Sequence, residues 1–177
     1  MRMYVSHLID KIRSVGIETG RGAEIGVWEG KTSMALLRHF PDLILYMIDA
    51  WGDELDPCMD EHMDSFYERC PAAKKRALKM TGFASDRRVV IHDSSRNASL
   101  DVLDGSLDFV FIDANHTYES AAEDIKLWYP KVRLGGLFSG HDYDKKWGVK
   151  RAVDEFASEH NYKFSVFKRT WTLIKVP

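Results

Sequence analysis

Five short apolar runs alternate along this chain with segments of helical periodicity, and this alternation constrains the fold more than any other feature. The runs cover residues 23–27, 43–48, 89–91, 107–112 and 137–139. The run at 43–48, Leu-Ile-Leu-Tyr-Met-Ile, is nearly continuous, which is typical of a parallel strand covered on both faces. Strands that alternate with helices form right-handed βαβ units. The sequence therefore predicts an α/β fold, doubly wound around a mostly parallel sheet.

The two ends of the chain extend this pattern. Residues 4–15 carry an apolar stripe at helical spacing, which predicts an N-terminal helix within residues 1–19. That helix could cover the edge of the sheet or pair with a second subunit, so a homo-oligomer is left open. Residues 163–167 and 170–176 alternate as the strands of an antiparallel hairpin do. With 177 residues the chain has the length of one domain of about 100–200 residues, so we expect 1–177 to form a single domain.

Local signals place two boundaries inside the chain. Ser120 and Glu123 have the spacing of a capping box, which predicts the start of the helix that follows the run at 107–112. Gly135 and Gly136 predict a turn that leads into the fifth apolar run.

One connection is too long for a simple crossover helix. Residues 51–88 begin acidic and end basic, and we expect a lid or a substrate-binding insertion there. A solvated amphipathic helix is the alternative. The two cysteines, Cys58 and Cys70, lie in this segment and are too far apart for a CxxC metal motif. We expect both to be free thiols in a mobile segment.

Charge and hydropathy exclude several classes of protein. The 25 basic and 27 acidic residues give a net charge of −2, which argues against binding nucleic acid through general positive charge. The Asn/Asp-Pro-Pro-Tyr motif of base-flipping methyltransferases is absent as well. No apolar run approaches the roughly 20 residues of a membrane span, and no signal-peptide core follows the first residues. We therefore expect a cytoplasmic protein with no membrane partner.

A polar group follows every predicted parallel strand. Ligands of open α/β sheets bind outside the carboxyl ends of the strands, so these groups predict a site at one edge. In chain order they are Gly26-Val27-Trp28-Glu29-Gly30, Asp49-Ala50-Trp51, His92-Asp93-Ser94-Ser95, Asp113-Ala114-Asn115-His116 and Gly140-His141-Asp142-Tyr143.

Three acids near this edge suit a nucleoside that carries no phosphates. The turn at 26–30 lacks the GxGxxG spacing of dinucleotide-binding proteins, and Glu24 would repel a pyrophosphate while favouring an ammonium group. Asp49 is placed to accept hydrogen bonds from ribose hydroxyls, and Asp93 could accept one from the adenine amine. S-adenosylmethionine combines these features. The alternatives are a helix-capping role for Asp93 and ordinary turn roles for the glycines.

Two stretches resemble a known family. Residues 23–33, Ala-Glu-Ile-Gly-Val-Trp-Glu-Gly-Lys-Thr-Ser, resemble motif I of class I S-adenosylmethionine-dependent methyltransferases. Residues 111–119, with an aspartate three residues before a histidine and then Thr-Tyr-Glu, resemble the most telling motif of methyltransferase family 24, a group related to macrolide-sugar O-methyltransferases. Gly135-Gly136 followed by His141-Asp142 resembles the strand-five motif of that group. The resemblance covers about residues 20–145.

The resemblance implies a Rossmann-like sheet of seven strands, which the terminal hairpin would complete. It also implies that the cofactor pocket is lined by Glu24, Gly26, Gly30, Asp49 and Asp93. Trp51, Ser94 and Asp113 stand at the same strand ends and complete the predicted cofactor-binding set. The function it implies is methylation of a small-molecule hydroxyl, of a sugar or natural-product type.

A hydroxyl acceptor needs a base or a metal that acidifies it. His116 matches the histidine that the related sugar methyltransferases use as base, and His141 is a second candidate. Asp113, His141 and Asp142 form a candidate site for magnesium or manganese, although the imidazole suits manganese, iron or zinc better than magnesium. Two other functions stay open: a non-catalytic nucleoside-binding module and an NAD-type oxidoreductase. The missing GxGxxG and the position of Glu24 argue against the oxidoreductase.

Overall fold

The computed structural model describes residues 3–17, 19–52 and 68–176. The helices of this part are α1 (Met3–Ser14), α2 (Lys31–His39), α3 (Cys70–Met80), α4 (Ser95–Leu100), α5 (Tyr118–Trp128) and α6 (Gly148–Glu159), with a 3₁₀ turn at Gly82–Ala84. The strands are β1 (Gly20–Ile25), β2 (Leu43–Ile48), β3 (Arg88–Ile91), β4 (Leu107–Ile112), β5 (Val132–Gly140), β6 (Ser165–Phe167) and β7 (Thr170–Ile174).

The strands form one seven-stranded sheet in the order β3-β2-β1-β4-β5-β7-β6. Strands β1 to β5 pair in parallel, and β7 runs antiparallel to both β5 and β6. The predicted mostly parallel sheet with a C-terminal antiparallel hairpin is therefore confirmed. Since β1 lies between β2 and β4, the strand order reverses beside β1, which is where ligands of such sheets bind.

Two apolar layers cover the sheet, one on each face. Alternate residues of β4 enter opposite layers: Phe109 and Phe111 pack with α1, α2 and α3, while Val110 and Ile112 pack with α4, α5 and α6. The apolar stripe of α1 is buried in the first layer, as its spacing predicts. This alternation follows from the two-residue period of a strand, and it makes the sheet doubly wound.

Two local predictions were wrong. Helix α5 begins at Tyr118, and its N-cap is Thr117, whose hydroxyl accepts the backbone N–H of Ser120. Ser120 therefore lies inside the helix, and the predicted capping box with Glu123 does not form. Gly135 and Gly136 do not precede the fifth strand either, because both lie within β5. Gly135 has a φ of 74°, and it lies where the pairing of β5 with β4 changes register: Leu107 pairs with Val132, and Phe109 pairs with Leu137.

The long connection is partly helical. Residues 53–67 of the segment 51–88, where the lid or substrate-binding insertion was expected, lie outside the described residues, and so does Cys58. Cys70 lies at the start of α3, is only 1% exposed and packs in the core, so its expected place in a mobile segment was wrong. Within the described ranges, no helix is both long and apolar enough to cross a membrane.

Candidate active site

The turn after β1 is shaped by close backbone contacts. Gly26 has a φ of 88°, and a Cβ on it would lie 2.2 Å from the carbonyl oxygen of Asp113. Gly30, with a φ of 74°, is the N-cap of α2, and a Cβ there would lie 2.9 Å from Cα of Ala77 in α3. Both positions need glycine because protein backbone approaches them. The close approach of a ligand, which these glycines were predicted to permit, stays a prediction.

Glu24 lies beneath this turn and is 1% exposed. Its carboxyl group accepts a hydrogen bond from the hydroxyl of Ser33. Burial raises the pKa of Glu24 to about 8, and the charges of Asp113 and Asp49 contribute to the same rise. Three carboxyl groups therefore lie close enough to one another to interact at the ends of β1, β2 and β4.

Asp49 connects the loops after β1 and β2. One carboxylate oxygen accepts the backbone N–H of Trp28 at 2.6 Å, and the other accepts that of Trp51 at 2.7 Å. Burial raises the pKa of Asp49, and these hydrogen bonds oppose the rise. Trp28 and Trp51 adopt positive φ angles of 50° and 41°, which bulky residues rarely do. Asp49 thus helps to hold two strained loops at the predicted ribose position.

Trp51 is placed in the core. Its side chain is 4% exposed, and its indole N–H donates to the carbonyl oxygen of Trp28 at 2.9 Å. The ammonium group of Lys74 lies 5.7 Å from the centre of its ring. The indole therefore supports the loop, and a direct contact with a cofactor stays a prediction.

Asp93 and Ser94 lie at the start of α4, after β3. Ser94 is the N-cap and accepts the backbone N–H of Asn97 at 3.1 Å. Asp93 accepts the backbone N–H of Ser94 and the side-chain amide of Asn97, and these hydrogen bonds lower its pKa. The helix-capping role that was the alternative for Asp93 is therefore taken by Ser94, and Asp93 bonds to this capping residue and to Asn97. Their cofactor-binding roles stay predictions.

The four residues predicted to carry chemistry come together at the ends of β4 and β5. Nε2 of His116 lies 2.8 Å from Oδ2 of Asp142, and Nδ1 of His141 lies 3.3 Å from the same oxygen. Nδ1 of His141 is also 3.8 Å from Oδ1 of Asp113. One carboxylate oxygen each of Asp113 and Asp142 and one ring nitrogen of His141 lie within 4.8 Å of one another. These three side chains are therefore close enough to bind one metal ion.

Asp142 lies between the imidazole rings of His116 and His141. Its contacts with His116 and His141 hold the pKa of its carboxyl group well below the usual range, and the contact with Asp142 raises the pKa of His116. Nε2 of His116 is buried and lies 2.8 Å from Oδ2 of Asp142, so Asp142 is placed to orient the imidazole and to stabilise its protonated form.

Aromatic rings flank both histidines. The ring of Trp147 lies 5.1 Å from that of His116, and the ring of Tyr4 lies 4.3 Å from that of His141. Sequence reasoning missed Tyr4 as a residue of this site. Tyr4 lies on α1, far away in the chain, and its only signal is that it stands four residues before the buried Leu8.

The sheet order, the glycine turn after β1 and the acids after β1, β2 and β4 define a class I S-adenosylmethionine-dependent methyltransferase. Residues 23–143, more than half of the chain, match the family model of the methyltransferase domain known as methyltransferase family 24. The chain belongs to this family.

Solved structures share the fold at low sequence identity. The O-methyltransferase NovP has a TM-score of 0.72 at 14% identity, over 98% of this chain and 78% of NovP. The methyltransferase PaMTH1 of Podospora anserina, solved with S-adenosylhomocysteine, has a TM-score of 0.68 at 19% identity, over 100% of this chain and 80% of that one. CalS11, a TDP-rhamnose 3'-O-methyltransferase, has a TM-score of 0.62 at 16% identity, over 98% of this chain and 81% of CalS11.

A curated relative matches part of the chain. An uncharacterised protein of Acanthamoeba polyphaga mimivirus is 34% identical over 76 residues, which is 38% of this chain and 34% of that protein. The match thus spans about a third of the length of this relative.

Proposed function

We propose that this protein transfers the methyl group of S-adenosylmethionine to a hydroxyl oxygen of a small molecule. The observation that carries the proposal is the convergence of Glu24, Asp49 and Asp113 at the switch point of the sheet, where the negative charges of Asp49 and Asp113 help to raise the pKa of Glu24. Such a pocket repels phosphates and suits a nucleoside with a cationic arm. S-adenosylmethionine carries both an ammonium and a sulfonium group, and the residues present fit it.

Each predicted residue of the pocket has a role in this proposal. Glu24 faces the ammonium group of the cofactor, Asp49 accepts the ribose hydroxyls and Asp93 accepts the adenine amine. Gly26, Gly30, Trp51, Ser94 and Asp113 shape the loops that carry them. When bound, the cofactor supplies an electrophilic methyl group next to a good leaving group. The protein orients the acceptor and the cofactor and excludes water.

His116 is the proposed base. As the acceptor oxygen forms its bond to the methyl carbon and the carbon–sulfur bond breaks, the hydroxyl proton passes to the imidazole of His116. Asp142, whose Oδ2 lies 2.8 Å from Nε2 of His116, stabilises the resulting imidazolium. His141 lies among the candidate metal ligands and contacts Tyr4, so we assign it to positioning or metal binding ahead of proton transfer.

A divalent metal is a compatible second component. Asp113, His141 and Asp142 offer two carboxylates and an imidazole, a donor set that suits manganese better than magnesium. A metal held there would act as a Lewis acid that lowers the pKa of the acceptor hydroxyl.

The class of acceptor can be tested with S-adenosylmethionine labelled in its methyl group. We expect label to enter a small molecule from a panel of sugars, nucleotide sugars and phenols, since CalS11 and NovP of the same fold are O-methyltransferases. Label in added nucleic acid or protein would contradict the proposal. Cofactor binding without transfer to any member of a broad panel would favour the non-catalytic module.

A further inference from the structure

A groove opens beside the proposed base. It is an open groove of about 380 Å³ at the start of α6, a volume within the range of small-molecule pockets of about 300–1,000 Å³. Its lining residues are Lys145, Trp147, Lys150, Arg151, Asp154 and Glu155.

The groove and the base belong to one structural unit. The ring of Trp147 lies 5.1 Å from that of His116, and the backbone N–H of Gly148 donates to the carbonyl oxygen of His116 at 2.9 Å. A Cβ on Gly148 would lie 2.1 Å from the backbone nitrogen of Tyr118, so α6 approaches α5 closely at this point. A molecule bound in the groove therefore lies next to the base.

The acids of the groove are already engaged. Asp154 accepts the phenol hydroxyl of Tyr143 at 2.6 Å and forms an ion pair with Lys150. Glu155 accepts the phenol hydroxyl of Tyr118 at 2.5 Å and forms an ion pair with Arg151. These contacts neutralise both carboxylates.

The remaining charge is positive. Of the four cations in residues 145–151, Lys150 and Arg151 form these ion pairs, which leaves Lys145 and Lys146. Lys145 and Lys146 are exposed, and neither forms an ion pair with a described residue. The ammonium group of Lys146 lies 4.7 Å from the centre of the Trp147 ring. Lys145 and the Trp147 ring thus line the groove, and the ammonium group of Lys146 lies beside that ring.

We propose that the acceptor carries a phosphate or diphosphate group, which binds at Lys145 and Lys146. In this arrangement the organic part of the acceptor contacts Trp147 and its hydroxyl reaches His116. The acids of the cofactor pocket repel a phosphate, and the groove attracts it, so the opposite charges of the two pockets orient the acceptor. This inference rests on the proposed function, because it takes the molecule bound in the groove to be the methyl acceptor.

Inorganic pyrophosphate at constant ionic strength is the probe. The indole N–H signals of the five tryptophans are followed by ¹H–¹⁵N NMR, and the signal missing from Trp147→Phe identifies Trp147. We expect saturable movement of the Trp147 signal, and roughly tenfold weaker binding in the double variant Lys145→Gln/Lys146→Gln. Lys75→Gln/Lys79→Gln removes the same charge from exposed positions of α3 and should bind as the wild type does.

No saturable movement, or equal weakening in both double variants, would overturn the inference. S-adenosylhomocysteine is titrated into the same samples to separate the two proposals. If S-adenosylhomocysteine binds and pyrophosphate gives no response, only the anionic acceptor is overturned. If pyrophosphate gives a specific response and S-adenosylhomocysteine does not bind, the proposed function is overturned and an anion site remains.

Discussion

Replacing His116 with alanine is expected to slow methyl transfer by about 10²–10⁴-fold, the usual contribution of a positioned base. The affinity for S-adenosylhomocysteine should not change, because His116 lies at the end of β4 beside Asp142 and not among the cofactor acids. The measurement is kcat with the acceptor identified by methyl labelling, with calorimetry for the affinity. Since Asp142 raises the pKa of His116, the assay is run at alkaline pH, where the base is deprotonated.

His160→Ala is the matched control for this variant. His160 is an exposed histidine that follows α6, and its ring contacts the carbonyl oxygen of Phe156. Its loss should leave kcat unchanged. Equal rates for His116→Ala and the wild type would show that His116 is not the base and would favour a metal-assisted reaction.

Replacing Glu24 with glutamine is expected to stabilise the free protein at pH 8.5 and to weaken cofactor binding. The carboxyl has a pKa of about 8 when folded and about 4.5 when unfolded. Between these values the unfolded chain loses the proton while the folded protein retains it, so the stability of the wild type falls as pH rises. The full cost above pH 8 is on the order of 3–5 kcal/mol. Glutamine removes this cost and still accepts the hydroxyl of Ser33.

Urea unfolding at pH 6 and pH 8.5 measures this effect. The free energy of unfolding of the variant minus that of the wild type should rise by a few kcal/mol from pH 6 to pH 8.5. The control Glu29→Gln removes an acid whose pKa is lowered by Lys31, and it should show no such gain. Parallel stability curves for Glu24→Gln and the wild type would show that Glu24 does not ionise with an elevated pKa.

The sheet and the position of its site follow from periodic sequence signals. Apolar runs identify strands, and parallel strands bring the residues after them to one edge, which is why Asp113, His141 and Asp142 could be grouped before the structure was known. Their distances could not be predicted, because a one-residue change in where a strand ends moves a side chain by several ångströms. The start of α5 shows the same limit, since Thr117 and Ser120 are both good N-caps.

Contacts between distant parts of the chain gave no periodic signal. Asp49 accepts the backbone N–H groups of Trp28 and Trp51, and that role depends on the backbone angles of two loops. Tyr4 contacts His141 because the whole of α1 packs on the sheet. Packing of this kind depends on shape in three dimensions, whereas sequence patterns report mainly the period of each element.

Calorimetric titration of S-adenosylhomocysteine into the wild type and Asp49→Ala tests the cofactor assignment most directly. We predict micromolar binding to the wild type and a loss of roughly 100-fold in Asp49→Ala, which removes the ribose acceptor and both loop hydrogen bonds. NADH, with its pyrophosphate, should not bind. Absence of S-adenosylhomocysteine binding, or binding of NADH in its place, would contradict the account.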